Sequence, residues 1–145
     1  MANTRFIPEE AAKRIRSGQH ATWLSQGNAA KRGADAYCIA VDFDGCLCED
    51  AYPEIGKPHQ SVIDELLRRQ KEGCELILWT CREGWMLAEA VGWCKAHGLR
   101  FDAVNANSPH MVAKYGNDCR KVGADEYWDD RAVVINRSGR FVRSY

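Results

Sequence analysis

The sequence lacks an excess of charge of either sign: 20 lysines and arginines cancel 20 aspartates and glutamates over 145 residues. A balanced chain gives no net-charge case for a polyanion or a lipid surface, although a local patch could still exist, so nucleic acid is disfavoured on net charge but not excluded and no membrane is expected. No apolar run approaches the ~18 residues of a transmembrane helix. The opening "MANTRFIPEE" lacks a hydrophobic signal core, which leads us to expect a cytoplasmic protein. Repeats and low-complexity tracts are absent. So are paired CxxC motifs, although there are seven cysteines, an odd number, at positions 38, 46, 48, 74, 81, 94 and 119. That pattern suits reduced, mostly buried thiols and not a zinc site.

What is present is enough apolar residue, 46% of the chain, to fill one core. Residues 1–36 are polar and alanine-rich, with thin apolar faces over 8–17 and 20–32, and read as a helical extension. Residues 37–145 read as the main domain. There "YCIAVDF" (37–43) is a buried strand, and Pro58 opens a helix at its favoured first position. Val62, Ile63, Leu66 and Leu67 recur along that helix until Gly73 ends it. "CELILWT" (74–80) is a second strand. Met86, Leu87, Ala90, Val91 and Cys94 mark a second helix, stopped by Gly98. "RFDAV" (100–104) is a third strand, and a looser region around Pro109, Gly116 and Asn117 follows. "DEYW" (125–128) is a fourth strand, and "AVVINRSGRFVRSY" is a β-hairpin turning over Asn136 to Gly139. Strands alternating with helices predict an α/β fold, a parallel sheet flanked by helices in three Rossmann-like layers. In such sheets ligands bind beyond the carboxyl ends of the strands.

Those ends carry the chemistry. The first strand runs into Asp42-Phe43-Asp44-Gly45, the second into Thr80-Cys81-Arg82, and the fourth into Asp129-Asp130-Arg131, with Lys121 just before it. Alternation sets Val41 and Phe43 on one side of the first strand and Asp42 and Asp44 on the other. Like charges so close need compensation, and a cation would supply it. Four carboxylates, a hydroxyl and two guanidinium groups on one rim suit phosphoryl transfer assisted by Mg²⁺. One carboxylate would be the nucleophile, its neighbour two residues on the acid and base, and Thr80 and Lys121 would hold phosphate oxygens.

In these residues the chain resembles the haloacid dehalogenase (HAD) superfamily of phosphotransferases and hydrolases. Asp42-Phe43-Asp44-Gly45 is similar to its first motif, Thr80 to its second, Lys121 to the lysine of its third, and Asp129-Asp130 to its fourth. Cys46 stands where the family usually has threonine. The resemblance runs from residue 37 to 132, and "YPEIGK", "LILWTCREG" and "ADEYWDDRA" are similar to a small, capless, mostly bacterial group within it. It implies an HAD-like fold with no large cap domain and an aspartyl-phosphate phosphatase. Asp42 would be the nucleophile and Asp44 the general acid/base. The resemblance assigns Mg²⁺ to Asp42, the backbone carbonyl of Asp44, and Asp129, with Asp130 a ligand or an outer partner. It assigns the phosphate to Thr80 and to Lys121, with Lys114 a rival for the lysine's role. The resemblance implies a phosphorylated small molecule or macromolecule as substrate, reached through an open site.

Residues 49–57 follow the first motif and could fold as a flap, with Tyr52, Lys57, His59 and Arg82 as candidate substrate contacts. Trp85 and Trp93 are expected to pack, His97 and His110 to be structural or solvent-facing, and Arg131 to pair with Asp129 or Asp130. Three other readings compete with the phosphatase. A non-catalytic module could bind a metal or phosphorylated partner in the same pocket, but binding alone does not need the second carboxyl. A phosphorylated receiver domain would place its acceptor aspartate after a later strand. A thiol redox protein built on Cys46 and Cys48 has the wrong spacing.

Overall fold

The computed structural model describes residues 36–142 of the chain. The expected N-terminal extension, with its helices over 8–17 and 20–32, therefore lies outside the described residues but for Ala36.

Four strands form one parallel sheet in the order β3-β2-β1-β4: β1 (Cys38–Val41), β2 (Glu75–Leu78), β3 (Ala103–Val104) and β4 (Glu126–Trp128). Both β1 and β2 are buried along their whole length, as central parallel strands must be. In register, Val41 faces Leu78 on one side and Trp128 on the other, so three strands end level. On one face Ile39, Val41, Phe43, Leu76 and Leu78 form the larger core. Helix α1 (Gln60–Lys71) adds Ile63 and Leu66 to it, and helix α2 (Gly84–Ala96) adds Leu87, Ala90 and Cys94. The other face carries smaller side chains, Cys38, Ala40, Ile77, Ala103, Ala106 and Val122. There α3 (Pro109–Tyr115) brings His110 to within 2.9 Å of the buried Glu75 carboxylate. Two crossovers on one face and one on the other make β1 and β4 the point where the winding reverses. This is a Rossmann-like α/β arrangement, and such a point opens a crevice at the carboxyl ends of the strands.

Several boundaries differ from expectation for identifiable reasons. Pro58 does not begin α1; it bridges to Cys48, and the helix starts at Gln60 after His59. The looser region is in fact helix α3, with Pro109 at its first turn and Gly116 ending it in the left-handed conformation at φ 73°. Proline and glycine there mark a start and a stop, not a loop. The third and fourth strands begin late because each is preceded by an aspartate that replaces a ladder acceptor. Asp102 Oδ2 accepts the Leu76 N–H at 2.9 Å, and Asp125 Oδ2 accepts the Cys38 N–H at 2.8 Å.

The hairpin joins β5 (Val134–Ile135) to β6 (Phe141–Val142), antiparallel, with the Asn136 side chain accepting the Ser138 and Arg140 N–H groups at its turn. No helix among the described residues is long and apolar enough to cross a membrane.

Candidate functional site

Beyond the level ends of β1, β2 and β4 lies a cavity of about 580 Å³, lined by residues of all three strand ends and of the loop after β1. Asp42 follows Val41 directly, its N–H continuing the ladder to the Trp128 carbonyl at 2.8 Å. That bond sets Asp42 beside the residues following β4. Asp42, Asp129 and Asp130 each present a carboxylate oxygen within 4.8 Å of the others. Burial, then the charge of Asp129, then a hydrogen bond and the charge of Asp130 push the Asp42 carboxyl up to about 7, against the Phe43 N–H that favours its ionised form.

Gly45 makes this approach possible. Its φ is 87°, and a Cβ there would lie 2.8 Å from the Asp130 carboxyl carbon. Asp129 accepts the Arg131 N–H at 2.8 Å through Oδ1. The donor set is therefore three carboxylates on a cradle open only to glycine, which fits a hard divalent cation.

Asp44 sits differently. Arg82, whose side chain is 1% exposed, grips it in a fork: Nε donates to Oδ2 and Nη2 to Oδ1, both at 2.8 Å. The same guanidinium donates to the Pro53 carbonyl at 3.0 Å and the Glu54 carbonyl at 2.7 Å. It lies between two rings, 5.0 Å from the Phe43 centroid and 5.2 Å from that of Tyr52. Arg82 is thus an internal strut joining the first strand end to the loop after it, not the substrate contact its position suggests. Each Asp44 oxygen keeps a lone pair, since each accepts one Arg82 bond.

Thr80 is buried and lines the cavity; its Oγ1 accepts the Arg82 N–H at 3.1 Å, leaving the hydroxyl proton to donate. Its own N–H donates to Asn105 Oδ1 at 2.8 Å. Asn105 is in the left-handed region at φ 51°, a conformation asparagine tolerates, and the sequence carried no signal for this role.

The expected lysine is not brought to the cleft. Lys121 lies with its ammonium 5.7 Å from the Tyr127 ring, which alternation turns away from Glu126 and Trp128 toward the α3 face, where Trp79 meets it edge-on. Lys114 lines a separate groove beside α3. The cavity's other lining cation is Arg131, and its side chain makes no ion pair with Asp129 or Asp130. His59 is structural, its Nδ1 2.9 Å from the Cys46 carbonyl. Trp93 packs edge-on against Phe43 at 5.4 Å as expected, whereas Trp85 is 70% exposed and does not. All seven cysteines are free thiols. Burial and the charges of Asp42, Asp130 and Asp129 push the Cys46 thiol up to about 12, which keeps it protonated and a poor nucleophile.

No protein-family model matches the chain, and no curated protein does. Among solved structures, a conserved protein from Bacteroides thetaiotaomicron is 43% identical, over 72% of this chain and 81% of that one, with a TM-score of 0.59. The chain belongs to that protein's family.

The geometry defines what the site can do. Three converging carboxylates with the chemistry to hold a hard cation, one of them partly desolvated, share the cavity with a buried hydroxyl donor.

Proposed function

We propose that this protein is a Mg²⁺-dependent phosphohydrolase of the HAD type, working through an aspartyl-phosphate on Asp42. The observation that carries the reading is the convergence of Asp42, Asp129 and Asp130 within 4.8 Å at the crevice also lined by Asp44 and Thr80. The order and strand placement of these residues are those of the superfamily the sequence resembles. Asp42, Asp129 and Asp130 would hold Mg²⁺, and the ion supplies charge compensation for the phosphoryl oxygens when bound.

Asp42 Oδ attacks phosphorus and the ester P–O bond breaks. The leaving oxygen takes a proton as it departs, and Asp44, to which the resemblance gives the acid's role and which lines the cavity, would give it. Water then attacks the phosphoryl group, Asp44 takes the proton back, and Asp42 and inorganic phosphate are released. Thr80 donates to a phosphoryl oxygen throughout. Arg82 holds Asp44 in place beneath the cavity, and Arg131 supplies the cationic contact that the sequence pattern assigned to Lys121.

One observation favours a second reading, a phosphate- or metal-binding module without turnover: both Asp44 oxygens already accept bonds from Arg82, and neither lysine lines the cavity. Hydrolysis of p-nitrophenyl phosphate with and without Mg²⁺, beside the Asp42→Asn protein, separates the two. Metal-dependent turnover lost in the variant supports the enzyme. Absence of turnover, with Mg²⁺ binding retained by calorimetry, supports the module.

A further inference from the structure

We infer that the substrate is a phosphate ester whose leaving group carries a nucleobase, stacked on Tyr52 at the mouth of the cleft; this rests on the phosphohydrolase reading of the same site. Tyr52 lines the cavity together with Asp42 and Thr80, yet is 55% exposed, whereas Thr80 is 8% exposed. The tyrosine ring therefore stands exposed on the same cavity as the strand-end carboxylates, carried by the loop after β1.

The ring's position is set from beneath. Its inner face rests on the Arg82 guanidinium at 5.2 Å. That guanidinium is tied to both Asp44 oxygens and to the carbonyls of Pro53 and Glu54, the two residues after Tyr52. Phe43 closes the stack at 5.0 Å below. Tyr52, braced by Arg82 on one side and 55% exposed, offers a platform for a planar group.

Two neighbours indicate what kind of planar group. Asp50 also lines the cleft and accepts the Tyr52 N–H through Oδ1, so a carboxylate acceptor for ring N–H donors stands next to the platform. Arg131 lines the opposite, β4 side with a guanidinium suited to an anion. An aryl phosphate offers the platform a ring without N–H donors, whereas a nucleobase offers one that carries them, which the Asp50 carboxylate can accept. A free mononucleotide and the phosphorylated end of a strand share this chemistry.

The test uses the full chain with Mg²⁺. Initial rates would be measured on adenosine 3′- and 5′-monophosphates, 3′- and 5′-phosphorylated oligonucleotides, phosphotyrosine and ribose 5-phosphate. The expected result is a kcat/KM for a base-bearing ester at least tenfold above that for ribose 5-phosphate. Tyr52→Ala should reduce this ratio about tenfold or more, through KM, and Tyr52→Phe should keep it. Whether mononucleotide or strand end is preferred then names the source. The inference is overturned if base-bearing esters are no better than ribose 5-phosphate, if phosphotyrosine is best, or if Tyr52→Ala leaves the ratio where it was. If no ester is turned over at all, the phosphohydrolase reading itself fails, a result distinct from each of these.

Discussion

Arg82→Met removes the strut while keeping an apolar side chain of comparable length between Phe43 and Tyr52. Four hydrogen bonds go with the guanidinium: two to Asp44 and one each to the Pro53 and Glu54 carbonyls. Removing one partner of a buried ion pair costs about 3–5 kcal/mol, because the other charge is left desolvated and alone. Asp44 is 18% exposed, so water can reach it and the lower end of that range applies. Loosening of the 49–57 loop lets the two carbonyls find water and adds about 1 kcal/mol at most. The expected loss is therefore about 3–4 kcal/mol, or a fall in Tm on the order of 10 °C. Urea unfolding followed by tryptophan fluorescence reads this as a shift in midpoint at constant slope. Arg82→Lys keeps the charge but cannot grip both oxygens and both carbonyls, and should lose about half as much. In a double-mutant cycle with Asp44→Asn the double variant should be milder than the sum by about 2 kcal/mol. A loss under about 1 kcal/mol for Arg82→Met, or simple additivity in the cycle, would refute the strut.

Asp42→Asn should abolish turnover and also change the pH dependence of stability in the metal-free protein. The Asp42 carboxyl is raised from its ordinary 3.8 to about 7, so its favourable contribution is whole below pH 3.8 and is lost as pH rises through 7. In EDTA at pH 8 the variant should therefore be the more stable protein, by about 1–2 kcal/mol once solvent screening is allowed for. A wild-type protein equal to or above the variant there would contradict the crowding of the three carboxylates. Saturating Mg²⁺ should raise the wild-type Tm and the variant's much less, read by scanning calorimetry. Asp44→Asn should slow alkyl phosphate hydrolysis by a factor of about 100 or more and aryl phosphate hydrolysis far less, because aryl leaving groups need little protonation; equal losses in steady-state rates would remove Asp44 from acid/base work. Gly45→Ala combines a left-handed φ with a collision at Asp130, and should cost about 1–3 kcal/mol and weaken Mg²⁺ binding at least tenfold by calorimetry.

The sheet was legible because its central strands are fully buried and so read as apolar runs, and because α1 and α2 each bury a regular stripe. The β3 and β4 starts were not, since nothing local shows that Asp102 and Asp125 stand in for backbone acceptors. Helix α3 was missed because seven residues carry too little periodicity and its two boundary residues also mark loops. Among site residues, Asp42, Asp44, Thr80, Asp129 and Asp130 could be named from their places after apolar strands, and all five line one cavity. Lys121 could not be placed, because it follows irregular chain whose path depends on side-chain contacts such as that with Tyr127.

By itself, then, the sequence determined which residues end which strands, since burial of a parallel sheet imposes an apolar pattern that stops where polar chemistry begins. Only the tertiary structure decided how those ends are used. Asp42 meets Asp129 and Asp130 because β1 and β4, far apart in the chain, are neighbours in the sheet. Arg82 turns inward to hold Asp44, and Tyr52 faces outward, because the loop after β1 folds back over the end of β2. Such pairings are set by three-dimensional proximity and desolvation, which local periodicity does not encode.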